Sequence, residues 1–236
     1  MLPKKSHALH RALLVLLLLL LSPLARAAEA PFVNPAQIHL ATLLAPPPAV
    51  GSPEQQAELR QLLALQDSRT PEQAAFALAD AERSVLRFAD VLGPGFTAEK
   101  CPKTLALFKK ATHNADAVVN PAKASWNRPR PYVASAEIHP CVPRPDNAAY
   151  PSGHSTFASL AAVLLTAMLP EKQAEIFARA ELFRNNRLIG GAHYPSDVEA
   201  GRIAGTVVAA FLLQDAAFQA ELAEAKKEMR GALGMP

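Results

Sequence analysis

Residues 195–213, PSDVEAGRIAGTVVAAFLL, decide the fold class. Ile203, Val207, Ala210 and Phe211 recur at i, i+4, i+7 and i+8, the spacing of a helix that turns one apolar stripe to a core. The next segment, Asp215 to Gly231, repeats the pattern with Phe218, Leu222, Ala225 and Met229. Working towards the N-terminus, the same period predicts helices over Glu171 to Asn185, Ser155 to Leu169 and Lys103 to Lys123. Ser52-Pro53-Glu54-Gln55 and Thr70-Pro71-Glu72-Gln73 each offer a capping hydroxyl, proline at the first helical position and glutamine three residues on, so each opens a helix. Alternation at period two is sustained nowhere. The class is all-α, and no repeat divides the chain.

The first 27 residues read as a cleaved export signal rather than part of the fold. Lys4, Lys5 and Arg11 precede an apolar run from Ala12 to Leu21, and Ala25-Arg26-Ala27 supplies the small-x-small cleavage pattern. Ala28-Glu29-Ala30 offers a second cut. Spanning a bilayer takes about 20 apolar residues, twice what this run provides, and the helices at Ser155 and Ile203 are too short as well. The expected location is therefore periplasmic or secreted, with no stable membrane insertion. Residues 28–50, which include Ala45-Pro46-Pro47-Pro48, read as an extended proline-rich segment. Residues 51–236 read as one helical domain. The four basic residues of the leader account for the net charge of +3; without them, 20 basic face 21 acidic residues. Nothing then calls for nucleic acid as a partner. Nothing in the sequence bars a homo-oligomer.

Cys101 and Cys141 are the only cysteines. In an oxidising compartment such a pair reads as one disulfide, contributing roughly 4 kcal/mol in the chain-entropy picture. The alternative is two unpaired thiols.

Three separated clusters carry chemistry. They are Lys123-Ala124-Ser125-Trp126-Asn127-Arg128-Pro129-Arg130-Pro131, Tyr150-Pro151-Ser152-Gly153-His154, and Asn186-Arg187-Leu188-Ile189-Gly190-Gly191-Ala192-His193-Tyr194-Pro195-Ser196-Asp197. Each alone is weak, since lysines and arginines usually coat solvated faces and a lone histidine is more often structural. Together, two histidines and a carboxylate suffice for covalent phosphoryl transfer with acid assistance. Lys123, Arg130 and Arg187 match the charge on three phosphoryl oxygens. Ser152 and Gly153 stand where a loop enters an apolar helix, an anion site by its free N–H groups. Asp197, four residues after His193, can orient one ring nitrogen and leave the other free. His193 and Asp197 are also half of a metal site, but no third and fourth ligands follow at suitable spacing. His113 reads as part of a solvated helix face, His39 and His139 lack a convincing ligand partner, and Arg128 reads as a neighbour outside the pattern. Trp126, Tyr150 and Tyr194 either line a mouth or pack.

In order and gaps the clusters resemble the signature K-x6-R-P, P-S-G-H, S-R-x5-H-x3-D of the type 2 phosphatidic acid phosphatase superfamily. That group includes class A non-specific acid phosphatases and vanadium haloperoxidases. One position departs, with Asn186 where the family has serine. The resemblance implies a single-domain helical bundle of that type and hydrolysis of small phosphate monoesters with no metal or cofactor. It implies His193 as nucleophile through a phosphohistidine, His154 as acid and then base, Asp197 as orienting carboxylate, and Lys123, Arg130, Ser152, Gly153 and Arg187 as phosphate ligands. The alternatives are a peripheral lipid-phosphate or diphosphate phosphatase, a vanadate-dependent haloperoxidase, and a phosphate-binding module without turnover.

Overall fold

The computed structural model describes residues 31–236; the export-signal reading of residues 1–27 lies outside them. Residues 31–52 run irregularly, with single turns at Pro35–Gln37 and Leu40–Leu43, and bury Val33, Ile38, Leu40 and Leu44. Helices α1 (Pro53–Ser68) and α2 (Pro71–Ala79) start at the expected caps. Thr70 forms a full capping box with Gln73. At α1, Ser52 accepts from the Gln55 amide, but the Gln55 side chain reaches one residue further back, to Gly51 N at 2.6 Å. A short turn, Val85–Leu92, leads to α3 (Pro102–Trp126). Then follow α4 (Gly153–Met168), α5 (Gln173–Ile189), α6 (Pro195–Leu212) and α7 (Ala216–Ala232). Among the described residues there is no strand, so the fold is all-α.

Helix α4 is the hub. Ten of its buried positions lie between Ser155 and Leu165, on every side of the helix, and it packs most closely on α6 and α5, with α3 and α7 beyond them. Phe157 meets Phe183 of α5 at 5.7 Å, and Phe183 stacks on Phe88 at 6.4 Å. Burying such a side chain contributes about 1.5–3 kcal/mol. No single helix among the described residues is long and apolar enough to cross a membrane.

The stripe read from α6 needs correction. Ile203, Val207 and Phe211 are only half-buried at the edge of the core, and Ala210 is exposed. The face that enters the core is Gly201, Ala204, Gly205, Val208 and Leu212. Close approach is the reason. A Cβ on Gly201 would lie 2.4 Å from the Ser152 carbonyl oxygen, and one on Gly205 would lie 2.2 Å from that of Thr156. Only hydrogen fits there, and the crossing draws the start of α6 against the start of α4. On α7, Phe218, Ala225 and Met229 are fully buried as expected, and Leu222 packs partly buried against the core.

The disulfide reading is overturned: both cysteines are free. Cys101 is buried in the main core, just before α3. Cys141 packs instead on the small cluster of Ala77, Val142 and Ala192, where its thiol faces the Ile189 carbonyl. Counting a pair of cysteines says nothing about where the fold places them, and a bridge needs Cα atoms within about 7 Å.

Candidate active site

The three sequence clusters meet around one cavity of about 250 Å³, lined by Lys123, Arg130, Gly153, His154 and His193 together with Arg83, Asp116, Asn120, Pro145 and Asn147. Each arrives from the end of a helix. Lys123 lies in the last turn of α3, which closes on Asn127 in the left-handed region at φ 40°. Asparagine tolerates that conformation better than most residues, and the turn sends Arg128 and Arg130 back across the helix end. Gly153 and His154 open α4, where first-turn N–H groups have no carbonyl within the helix to meet. His193 and Asp197 straddle the start of α6, and Arg187 ends α5. Ser152 lies beneath the cavity: its Oγ accepts from Ser155 N, and its own N–H donates to the Asp197 carbonyl at 2.9 Å.

Hydrogen bonds fix the tautomers. The Asp197 carboxylate only accepts, so His193 Nδ1, 3.2 Å from Asp197 Oδ2, carries the proton. Its Nε2 is then a lone pair facing the cavity, and it accepts from Arg130 Nη1 at 2.8 Å. Burial, followed by the Arg130 charge, holds this imidazole well below its usual range, so it is neutral. At His154, Nε2 donates to the Ala81 carbonyl at 3.0 Å, which leaves Nδ1 unprotonated. Burial and the nearby Arg187 charge lower it to about 3.

The cations are held by carbonyls rather than acids. Lys123 Nζ donates to Ala148 O at 2.7 Å, and burial, then Arg130, lowers its pKa to about 7. Arg130 donates from Nε and Nη2 to Asn147 O and Oδ1, and from Nη1 to Ala192 O. Arg187 is 1% exposed, with Nε and Nη1 lacking any partner; its pKa falls to about 10 through burial and the Arg130 charge. Three buried cations with unmet positive charge and spare donors make a site built for a polyanion. No group of three or more His, Cys, Asp or Glu side chains among the described residues is arranged to hold a metal ion.

The PAP2 superfamily model matches residues 105–220, a span that holds all eight motif residues. An acid phosphatase of Zymomonas mobilis is 32% identical over 199 residues, covering 80% of this chain and 75% of its own. The chain belongs to the PAP2 superfamily. A non-specific acid phosphatase of Salmonella typhimurium is 30% identical over 210 residues, 84% of each chain. A bacterial vanadium-dependent iodoperoxidase is similar in fold, with a TM-score of 0.58 at 19% identity over 73% of this chain and 52% of that one. As a PAP2 protein with acid phosphatase relatives over most of its length, the chain has the background of a phosphatase.

Within this PAP2 site, sequence reasoning missed Arg128. It is 3% exposed and ties three segments together. Nη1 donates to Asp197 Oδ1 at 2.6 Å and to Ser196 Oγ at 2.7 Å, Nη2 donates to Glu58 Oε2 at 2.6 Å, and the guanidinium lies 3.8 Å over the Tyr194 ring. Glu58, from α1, also accepts from Ser196 N at 2.7 Å. Burial raises the Asp197 carboxyl to about 6, and Arg128 is the largest influence holding it down. Asn147, the clamp on Arg130, was missed too. Neither stands at a motif position, and Glu58 is 139 residues from Asp197, so no local signal marks them. Asn186 turns away from the cavity: its amide donates to Asp80 Oδ2 at 2.8 Å, in a buried knot where Arg179 grips the same carboxylate. Tyr150 and Tyr194 are buried, and Trp126 meets Tyr150 edge-on at 4.9 Å, so these aromatics pack rather than line a mouth. His113 is exposed, as expected, and His39 and His139 are exposed too.

Proposed function

We propose that the protein is an exported phosphatase that hydrolyses phosphate monoesters through a phosphohistidine on His193, without a metal ion. The observation that carries the reading is the setting of His193: one nitrogen is protonated against buried Asp197, and the other, unprotonated and accepting from Arg130, faces a cavity lined by the buried cations Lys123 and Arg130. A phosphate dianion entering the cavity draws Arg130 off Nε2 and onto its oxygens, which exposes the lone pair to phosphorus. Lys123, Arg130 and Arg187 then spread the charge that collects on the equatorial oxygens, the part magnesium plays in many other phosphoryl transfers. The N–H groups of Gly153 and His154 add the positive end of α4.

As the Nε2–P bond forms, positive charge develops on the imidazole and Asp197 stabilises it. The ester oxygen leaves with the bonding electrons and takes a proton from His154 Nδ1. That nitrogen is unprotonated in the free site, so the proton comes with the substrate monoanion or from solvent once the dianion is bound, which ties turnover to acid pH. Neutral His154 then takes a proton from the water that splits the phosphoenzyme. Export rests on the composition of residues 1–27.

The test is phosphate release from p-nitrophenyl phosphate and a panel of other monoesters, with excess chelator, across acid to neutral pH. Turnover unchanged by chelator is expected; inactivation reversed by magnesium or zinc would overturn the metal-independent mechanism.

A further inference from the structure

Beside the catalytic cavity lies a larger one of about 510 Å³ with an apolar floor of Val85, Leu105, Phe108 and Phe157. Arg83 and Asp116 line both cavities and form the wall between them. Arg83 comes from the loop after α2, outside every motif cluster. It bonds Asp116 through two contacts, Nη1–Oδ1 at 2.6 Å and Nη2–Oδ2 at 3.0 Å. Its Nη1 stands 3.8 Å from where a Cβ on Gly153 would be, so it sits against the first turn of α4 next to His154. Its charge reaches the catalytic cavity, where it helps to lower both Lys123 and His154.

In the proposed mechanism Lys123, Arg130 and Arg187 take the oxygens of the transferred phosphoryl group, which leaves Arg83, a cavity-lining cation outside the motif clusters, without a role towards that first phosphate. The ion pair with Asp116 is forked, but it stands partly open to water. The two side chains are 32% and 30% exposed, and pairs that open to water are weakly held. A phosphate dianion offers the same fork a partner of higher charge. Direction decides the rest. The ester oxygen must lie on the His154 side of the phosphorus to receive its proton, and Arg83 stands on that side, at the entrance to the second cavity.

We propose that Arg83 is a specificity residue that leaves Asp116 to bind a second phosphate carried by the leaving group, whose organic part lies on the apolar floor beyond. The substrate class is organic diphosphates with an apolar or aromatic organic portion. The inference rests on the phosphatase reading. The reaction is redox-neutral: His193 Nε2 bonds the terminal phosphorus, and the bridging oxygen departs with its electron pair and the His154 proton. Water then cleaves the N–P bond, giving the organic monophosphate and orthophosphate.

ADP and AMP differ by this one phosphate, so the ratio of their kcat/KM values reports on Arg83. Arg83→Leu should lower the ADP-to-AMP ratio about tenfold, chiefly through KM for ADP, as expected for one lost charge-assisted contact. Asp116→Asn, which frees the guanidinium, should raise it. An unchanged ratio in Arg83→Leu, or a fall in Asp116→Asn, overturns the proposal. Calorimetric binding of pyrophosphate against orthophosphate gives the same answer without turnover: the wild type should prefer pyrophosphate, and Arg83→Leu should lose that preference. A wild type that binds both equally also refutes it. Failure to hydrolyse any ester would instead strike the phosphatase reading, and the two failures are separate.

Discussion

Replacing Arg128 by methionine removes a guanidinium that does not line the catalytic cavity, yet it should disable the enzyme. Arg128 is 3% exposed and is shared by Asp197, Glu58 and Ser196. Removing one partner of a buried ion pair costs about 3–5 kcal/mol, because the other charge is left uncompensated. For a chain of this size that corresponds to a fall in Tm of about 10 °C. Asp197 would keep only Tyr194 N at 2.9 Å and His193 Nδ1 at 3.2 Å. Its carboxyl, already raised to about 6 with Arg128 present, would rise further and be largely protonated near neutrality. A neutral carboxyl cannot stabilise the positive charge that develops on His193. The expected kcat loss is about a hundredfold or more, with KM nearly unchanged because the phosphate ligands are untouched. Steady-state kinetics across pH, beside calorimetric melting, separates the two roles. Arg128→Met combined with Glu58→Gln should regain part of the stability by removing the second stranded carboxylate, without regaining kcat. If kcat stays within about threefold of wild type while stability is lost, Arg128 is structural only, and its link to the chemistry is wrong.

The free protein should lose stability as pH falls from about 6.5 towards 3, because the unfolded chain binds protons there that folded His154, lowered to about 3, and buried His193 refuse. Asp197, raised to about 6, works the opposite way over part of that window and offsets some of the loss. Orthophosphate, which favours charged His154, should recover the most stability at the acid end; thermal melts with and without phosphate measure this. Gly201→Ala puts a methyl 2.4 Å from the Ser152 carbonyl, and should cost about 1–3 kcal/mol and depress kcat by moving Asp197 relative to α4. Chemical denaturation and pNPP turnover report both effects. With Cys101 and Cys141 free, a reducing agent should leave Tm unchanged, and thiol titration of the unfolded chain should count two.

What the sequence made legible follows how local each feature is. Caps such as Thr70 with Gln73, and the apolar period of α4 and α7, are settled within a few residues, and the helices stand where those signals put them. The motif residues were legible as a set because their spacing is itself the signal. Only the fold could add the partners drawn from far away: Arg128 on Asp197, Glu58 on Arg128, Ala81 on His154, Asn147 on Arg130. The α6 stripe was misread for a related reason. Large side chains draw attention as core, while the tightest helix crossing needs glycine and shows in sequence as weak apolarity. Asn186 stood out only as a departure from the family serine, because the pattern gave its place in the motif, not its direction; its amide serves Asp80.

The central claim is that His193 becomes phosphorylated, and trapping that intermediate tests it most directly. Enzyme mixed with excess substrate, quenched in alkali to preserve a phosphoramidate and mapped by mass spectrometry, should carry one phosphoryl group on the peptide containing His193. His193→Ala should show neither label nor turnover above about a hundredth of wild type. Label on another residue, or His193→Ala turning over at a rate near wild type, would contradict the account.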